Sequence, residues 1–239
     1  MSLAPPDSAD LKSRDATTFE LNVLFSDDAI VCVNKPANIL SVPGKGERGQ
    51  ICVSNRVLVQ FPDAKVVHRL DMATSGIMIF ALGKANQVHL NKQFEQRRVE
   101  KIYDAVVKGH LTADVGEVNV PLMADWPNRP KQKICFREGK SALTRYRLVS
   151  RERLTNPAIK NKNVGATPVT RIQLMPITGR SHQLRMHMLA IGHPIVGDEF
   201  YTDKSTNMLS TRLLLHARVL MLAHPQTDTI LRIVAPTPF

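Results

Sequence analysis

The chain has 239 residues, 43% hydrophobic and 22% charged, which is enough apolar material for one real core and excludes a disordered chain. Lysine and arginine number 32 against 21 acidic residues, a net charge of +11 that points to a polyanionic partner and leaves the fold open. Three scattered cysteines (Cys32, Cys52, Cys135) with no C-x-x-C pair exclude a disulfide framework and a zinc ribbon. No run reaches the ~18 apolar residues of a membrane helix, and the acidic start (Asp7, Asp10, Asp15) is unlike a signal or transit peptide. The expectation is a cytoplasmic, reducing setting. With aromatics at only 5%, phosphate contacts should outweigh base stacking in any nucleic-acid complex.

In chain order, residues 1–18 carry Pro, Ser, Asp and Lys without periodicity and read as a mobile tail. Residues 21–25 and 29–34 read as two strands of a hairpin around Ser26-Asp27-Asp28, the second ended by Lys35-Pro36 because proline cannot donate into a ladder. Residues 49–61 have helical spacing, with Ile51, Cys52, Asn55, Leu58, Val59 and Phe61 inward. The short apolar run 77–82 reads as a buried strand. A second helix is expected over 84–98, with Ala85, Val88 and Phe94 inward; Arg97 and Arg98 at its end suit the helix dipole and equally a phosphate contact.

Strands resume over 102–109 and 116–120, followed by a long basic loop (127–141) with Arg129, Lys131, Lys133, Arg137 and Lys140. Residues 143–150 alternate as a strand. Residues 151–168, with Lys160, Lys162 and Gly165, read as a polar insertion, better taken as a tolerated surface loop than as an RNA-touching arm. After a strand over 169–175, Thr178-Gly179 turns into a helix over 181–191, with Ser181 as N-cap and Gly192 as its left-handed stop. Strands over 212–222 and 229–234 close the chain across a turn at 224–226. Strands dominate and many connections are hairpin-length. That predicts an α+β fold with a large mixed, mainly antiparallel β-sheet, flanking helices, and one domain over 19–239.

The stretch His68-Arg69-Leu70-Asp71-Met72-Ala73-Thr74-Ser75-Gly76 sits between a polar turn and the 77–82 strand. Asp71 is thus on a loop anchored at its base, where catalytic carboxylates are often placed. Flanked by Arg69, Thr74 and Ser75, it can stay ionised while partly shielded from water. The competing reading, that Asp71 and Thr74 merely shape a turn, carries more weight from the loop alone.

This stretch resembles the signature of the RluA-type pseudouridine synthases, in which the Asp is catalytic. Two further stretches resemble the same family in the same order: Glu100-Lys101-Ile102-Tyr103-Asp104-Ala105, and Thr178-Gly179-Arg180-Ser181-His182-Gln183-Leu184-Arg185. The similarity runs from about residue 19 to the C-terminus. Residues 121–130 make it look closest to the small members that act on both ribosomal and transfer RNA. The resemblance implies the architecture expected above without the separate N-terminal RNA-binding domain of many relatives. It also implies an RNA substrate (a stem-loop of 23S rRNA, of the tRNA anticodon arm, or both), no cofactor and no metal. A monomer is the expectation.

By the same resemblance Asp71 is the catalytic carboxylate, Arg185 the cation that aims it and holds it bidentately, and Tyr103 the ring that stacks on the uracil. Arg69 would fill the space left by a flipped uridine. His68, Arg180 and His182 are expected to touch RNA or orient the loop, and Arg129, Lys131 and Lys133 to contact phosphate. Histidines 68, 182, 187 and 193 show no metal-ligand spacing. Other readings compete: a synthase for another ribosomal uridine, a non-catalytic basic RNA-binding module, and a metal-dependent nuclease. The RNA-binding module predicts decay of Asp71, Tyr103 or Arg185, all of which are present. The nuclease needs a carboxylate cluster that the sequence lacks.

Overall fold

Strands β1 (Val23–Ser26) and β2 (Ile30–Lys35) form the predicted hairpin in the computed structural model, which describes residues 19–155 and 166–239. Asp27 Oδ1 accepts from the N–H groups of Ala29 and Ile30, at 2.8 and 2.9 Å, which fixes the turn. The expected N-terminal tail, and Lys160, Lys162 and Gly165 of the expected insertion, lie outside the described residues.

Helix α1 (Val53–Gln60) is shorter than the 49–61 expected, and its buried face is Val53, Ser54 and Val57. Leu58 and Val59 are exposed, so the sequence phase was off by part of a turn. Strand β3 (Ala64–Val66) replaces part of the expected turn and pairs with β4 (Ser75–Leu82), the predicted buried strand. Both faces of β4 are covered. Ile77, Ile79 and Ala81 pack with Leu90 of α2 (Lys84–Glu95), whereas Met78 and Phe80 pack with Val53 and Val57 of α1. That is why its sequence is continuously apolar rather than alternating. Helix α2 buries Leu90 and Gln93, not the expected Ala85 and Val88, which face solvent; of the three expected residues only Phe94 packs inward. It ends at Glu95, earlier than expected, through a left-handed Arg97 (φ 57°).

Strands β5 (Glu100–Lys108) and β6 (Val115–Asn119) follow as expected. The basic loop is instead a second, small sheet: β7 (Leu122–Ala124) pairs with β8 (Gln132–Ile134). Strands β9 (Leu143–Leu154) and β10 (Thr167–Pro176) run further than expected, pairing out to Leu154 and Thr167. Residues 151–154 and 167–168 of the supposed loop are therefore strand. Helix α3 (Gln183–Ala190) has His182, not Ser181, at its N-cap, and Gly192 (φ 80°) is its stop as expected. A short α4 (Lys204–Asn207), capped by Asp203, precedes β11 (Leu215–Ala223) and β12 (Ile230–Val234).

The main sheet has ten strands in the order β1-β2-β4-β11-β5-β10-β9-β6, with β3 added to β4 and β12 to β11. All pairs are antiparallel except β4 with β11, which are parallel and touch only at Ser75–His216 and Gly76–Ala217. The expected mixed, mainly antiparallel sheet is thus two half-sheets meeting at one short seam. Gly76 makes the seam possible: its φ is 114°, and a Cβ there would lie 2.3 Å from the Ala217 carbonyl oxygen. The 68–76 motif enters the sheet at that seam. Among the described residues no helix is long and apolar enough to cross a membrane.

Candidate active site

The loop that carries Asp71 is pinned on both sides of that residue. The Ser41 hydroxyl donates to Leu70 O (2.6 Å) and accepts from Leu70 N–H (3.0 Å). Lys35, only 1% exposed, donates from Nζ to Met72 O (2.9 Å), Pro36 O (2.8 Å) and Ile39 O (2.6 Å). Burial pulls the Lys35 pKa down to about 7, opposed by Asp71, while the three carbonyls call for the full ammonium. The turn itself is closed by main chain, Thr74 N–H to Asp71 O at 3.1 Å. Among the described residues the Asp71 side chain makes no hydrogen bond to that turn, so its carboxylate is not spent on local structure. It is 27% exposed and points into a cavity of about 110 Å³, many times the ~10–15 Å³ that one water needs.

Arg185, 2% exposed on α3, faces the carboxylate with Nη1 at 3.6 Å from Asp71 Oδ2. The expected bidentate grip on Asp71 is not what forms. The fork closes on Asp198 instead, Nε to Oδ2 and Nη2 to Oδ1, both at 2.7 Å. Asp198 is 1% exposed. Burial disfavours the guanidinium charge, but Asp198 and then Asp71 more than offset it and raise the pKa. Arg185 therefore bridges one buried carboxylate and one facing the cavity.

His182 holds a left-handed backbone (φ 52°), a conformation non-glycine residues adopt at some energetic cost. Its ring lies over Phe200, with centroids 5.8 Å apart, and its Nε2 is 4.0 Å from Asp71 Oδ2. Its side chain is 9% exposed and lies beside the carboxylate, a place suited to the second of its two expected roles, orienting the loop. Burial, opposed in part by Asp71, lowers its pKa and keeps the imidazole neutral. Gln183 shapes the approach: its Oε1 accepts from Thr178 and Arg180 N–H, and its Nε2 donates to Leu143 O and Thr144.

Tyr103, on β5 opposite Ala217 of β11, packs against the core cluster that includes Leu70 and Ala217, and it lines the cavity. Burial, reinforced by the Asp71 charge, pushes its phenol well above the ordinary range, so it remains a neutral O–H. Lys101, two residues earlier on the strand, also lines the cavity, and burial lowers its pKa. Arg69, Lys101, Arg180 and Arg185 thus line the same cavity as Asp71.

The cavity opens into a cleft of about 590 Å³ that reaches His68, Phe94, Pro130 and Ser181. Arg69 is exposed there. His68 is more a part of the sheet: its Nε2 accepts from Ile79 N–H (3.1 Å) beyond the end of β3, and its ring stacks on Phe94. Burial and then Lys101 bring its pKa down to about 4. Arg180 is exposed at the rim, with Nε on Ser141 O. Arg129 lies over the exposed Trp126 ring (3.3 Å), and Lys133 is loosely paired with Asp125 (3.8 Å), both on the β7–β8 hairpin with Lys131. His187 and His193 bond Thr144 and Lys108 O elsewhere. Sequence reasoning missed Lys101, although it stands two residues before Tyr103 in the second motif, and it missed Lys35, Ser41, Asp198 and Tyr201, which lie outside all three motifs.

A profile of the family described as RNA pseudouridylate synthase matches residues 29–190. A dual-specificity RNA pseudouridine synthase RluA of Yersinia pestis is 49% identical over 207 residues, covering 87% of this chain and 94% of that protein. The protein of the same name from Escherichia coli K12 is 46% identical over 219 residues, covering 92% and 94%. Among solved structures, human RNA pseudouridylate synthase domain containing 1 matches with a TM-score of 0.75 at 26% identity, covering 99% of this chain and 87% of that one. The resemblance carried by the three motifs is borne out: the chain belongs to the RNA pseudouridylate synthase family, enzymes that isomerise uridine to pseudouridine within RNA.

Proposed function

We propose that Asp71 is the reactive carboxylate and that the enzyme modifies uridines in stem-loops of both 23S rRNA and the tRNA anticodon arm. The observation that carries the first part is the asymmetry of its carboxylate. Arg185 and His182 both approach Oδ2, no ion pair reaches Oδ1 among the described residues, and Asp71 lines a cavity that cationic side chains also line. In the reaction the C1′–N1 bond breaks, the uracil turns, and C1′ joins C5. The C5 proton leaves and N1 gains one, so atoms and electrons balance without a cofactor. The sugar passes through an oxocarbenium-like species that a carboxylate stabilises, by attack at C1′ or by taking the C2′ proton. One carboxylate suffices because the base never departs.

The other residues divide by position. The Tyr103 ring offers the uracil a stacking face, and burial beside Asp71 keeps its phenol protonated. Flipping the uridine costs a few kcal/mol, least in a loop, and exposed Arg69 occupies the vacated space. Arg129, Lys131, Lys133 and Arg180 contact phosphate along the cleft.

Support for two substrates comes from relatives named dual-specificity enzymes at 45–49% identity, each matched over most of its length. The test is to incubate purified enzyme with a tRNA anticodon stem-loop and a 23S rRNA hairpin and to map pseudouridine in each. Modification of one defined uridine in both RNAs is expected. Modification of one RNA alone overturns dual specificity, and modification of neither overturns the substrate assignment.

A further inference from the structure

Behind Asp71 runs a chain of three hydrogen-bonding groups whose proton positions follow from counting donors. Gln132 N–H points out of the β7–β8 hairpin and donates to Tyr201 Oη at 2.8 Å. The same phenol oxygen lies 2.7 Å from His182 Nδ1. The Tyr201 hydroxyl has one proton, and among the described residues His182 Nδ1 is the acceptor within its reach. If Nδ1 carried the hydrogen instead, the phenol proton would lack an acceptor. The bare Nε2 lone pair would then face Asp71 Oδ2 at 4.0 Å, an electrostatic repulsion. Donation from Tyr201 to Nδ1 removes both problems at once.

We propose that Tyr201 is a positioning residue for the reaction: its hydroxyl fixes the Nε2–H tautomer of His182, so that an N–H rather than a lone pair faces Asp71 Oδ2 beside Arg185. The proposal rests on Asp71 being the reactive carboxylate. Its physical content is that Asp71 meets a neutral donor, not a second cation. A histidine free to protonate at Nδ1 becomes an imidazolium beside Asp71, and that charge blunts the carboxylate as nucleophile or base. Burial of both rings works in the same direction, lowering the His182 pKa and raising that of the phenol. Asp71, Arg185 and Asp198 are the other charged groups that bear on the imidazole, and they are of mixed sign.

Two measurements test it. In the wild-type protein, nitrogen-15 NMR of the His182 ring should show a bare Nδ1 and a protonated Nε2 near neutral pH. A protonated Nδ1 overturns the proposal, whatever the variants do. Tyr201→Phe keeps the ring beside Arg185 and deletes only the hydroxyl. It should lower kcat about tenfold, the kinetic equivalent of one hydrogen bond to a site group, with KM for RNA nearly unchanged. The ring signals should shift toward Nδ1 protonation. Wild-type kcat in Tyr201→Phe refutes the positioning role alone, whereas activity surviving Asp71→Asn refutes the reading it rests on.

Discussion

Arg185 has two carboxylate partners, and they predict different things for its loss. Asp198 is 1% exposed and takes both parallel hydrogen bonds, whereas Asp71 is approached at 3.6 Å and partly open. Arg185→Met strands Asp198 as a buried, unpaired charge, a loss of about 3–5 kcal/mol by analogy with other broken buried pairs. Chemical denaturation should show that loss together with abolished turnover. A stability within 1 kcal/mol of wild type, a threshold of roughly one ordinary hydrogen bond, would mean that Asp198 finds another partner. Arg185 was legible because it ends a recognisable motif. Asp198 was not: it lies thirteen residues further on in a turn, and nothing local distinguishes an Asp that will be buried against a guanidinium from one that caps a loop.

At the scale of elements, strands were read well and helix faces poorly, for a physical reason. The run 77–82 is apolar throughout because β4 is covered on both sides, and no phase has to be guessed. Helices α1 and α2 are short, and polar groups fill part of their buried faces, Ser54 in one and Gln93 in the other. Apolar spacing alone therefore picks out the wrong face. The basic segment after β6 was read as a loop because its strands are only three residues each. As a hairpin it holds Arg129, Lys131 and Lys133 on a defined scaffold beside the cleft. Neutralising all three to Gln should reduce the slope of log affinity against log salt by up to roughly 2–3 units, at ~0.7–0.9 per phosphate contact. Titration of an RNA stem-loop at several salt concentrations measures this, and an unchanged slope would show that the hairpin faces away from RNA.

Over the whole molecule, the site occupies the seam where two half-sheets meet. The N-terminal half supplies the Asp71 loop and, through Lys35 and Ser41, its pins. The other half supplies Tyr103 from β5 and Arg185 from α3, so no single half contains the chemistry. The seam is narrow because Gly76 lets β4 approach the Ala217 backbone, and the glycine that ends the signature motif is thus a requirement of assembly. Such long-range joining is not written in local periodicity; only the motif resemblance marked these distant residues as neighbours. The proposed phosphate contacts and the proposed reactive carboxylate are different groups, so binding and chemistry should be separable by substitution. Asp71→Asn tests that separation most directly. The amide keeps size and hydrogen-bonding capacity but cannot act as an anionic nucleophile or base. Turnover on a stem-loop substrate should fall below detection while RNA affinity, set by phosphate contacts, stays within several-fold of wild type or tightens. A folded Asp71→Asn protein that retains a substantial fraction of wild-type turnover would contradict the account.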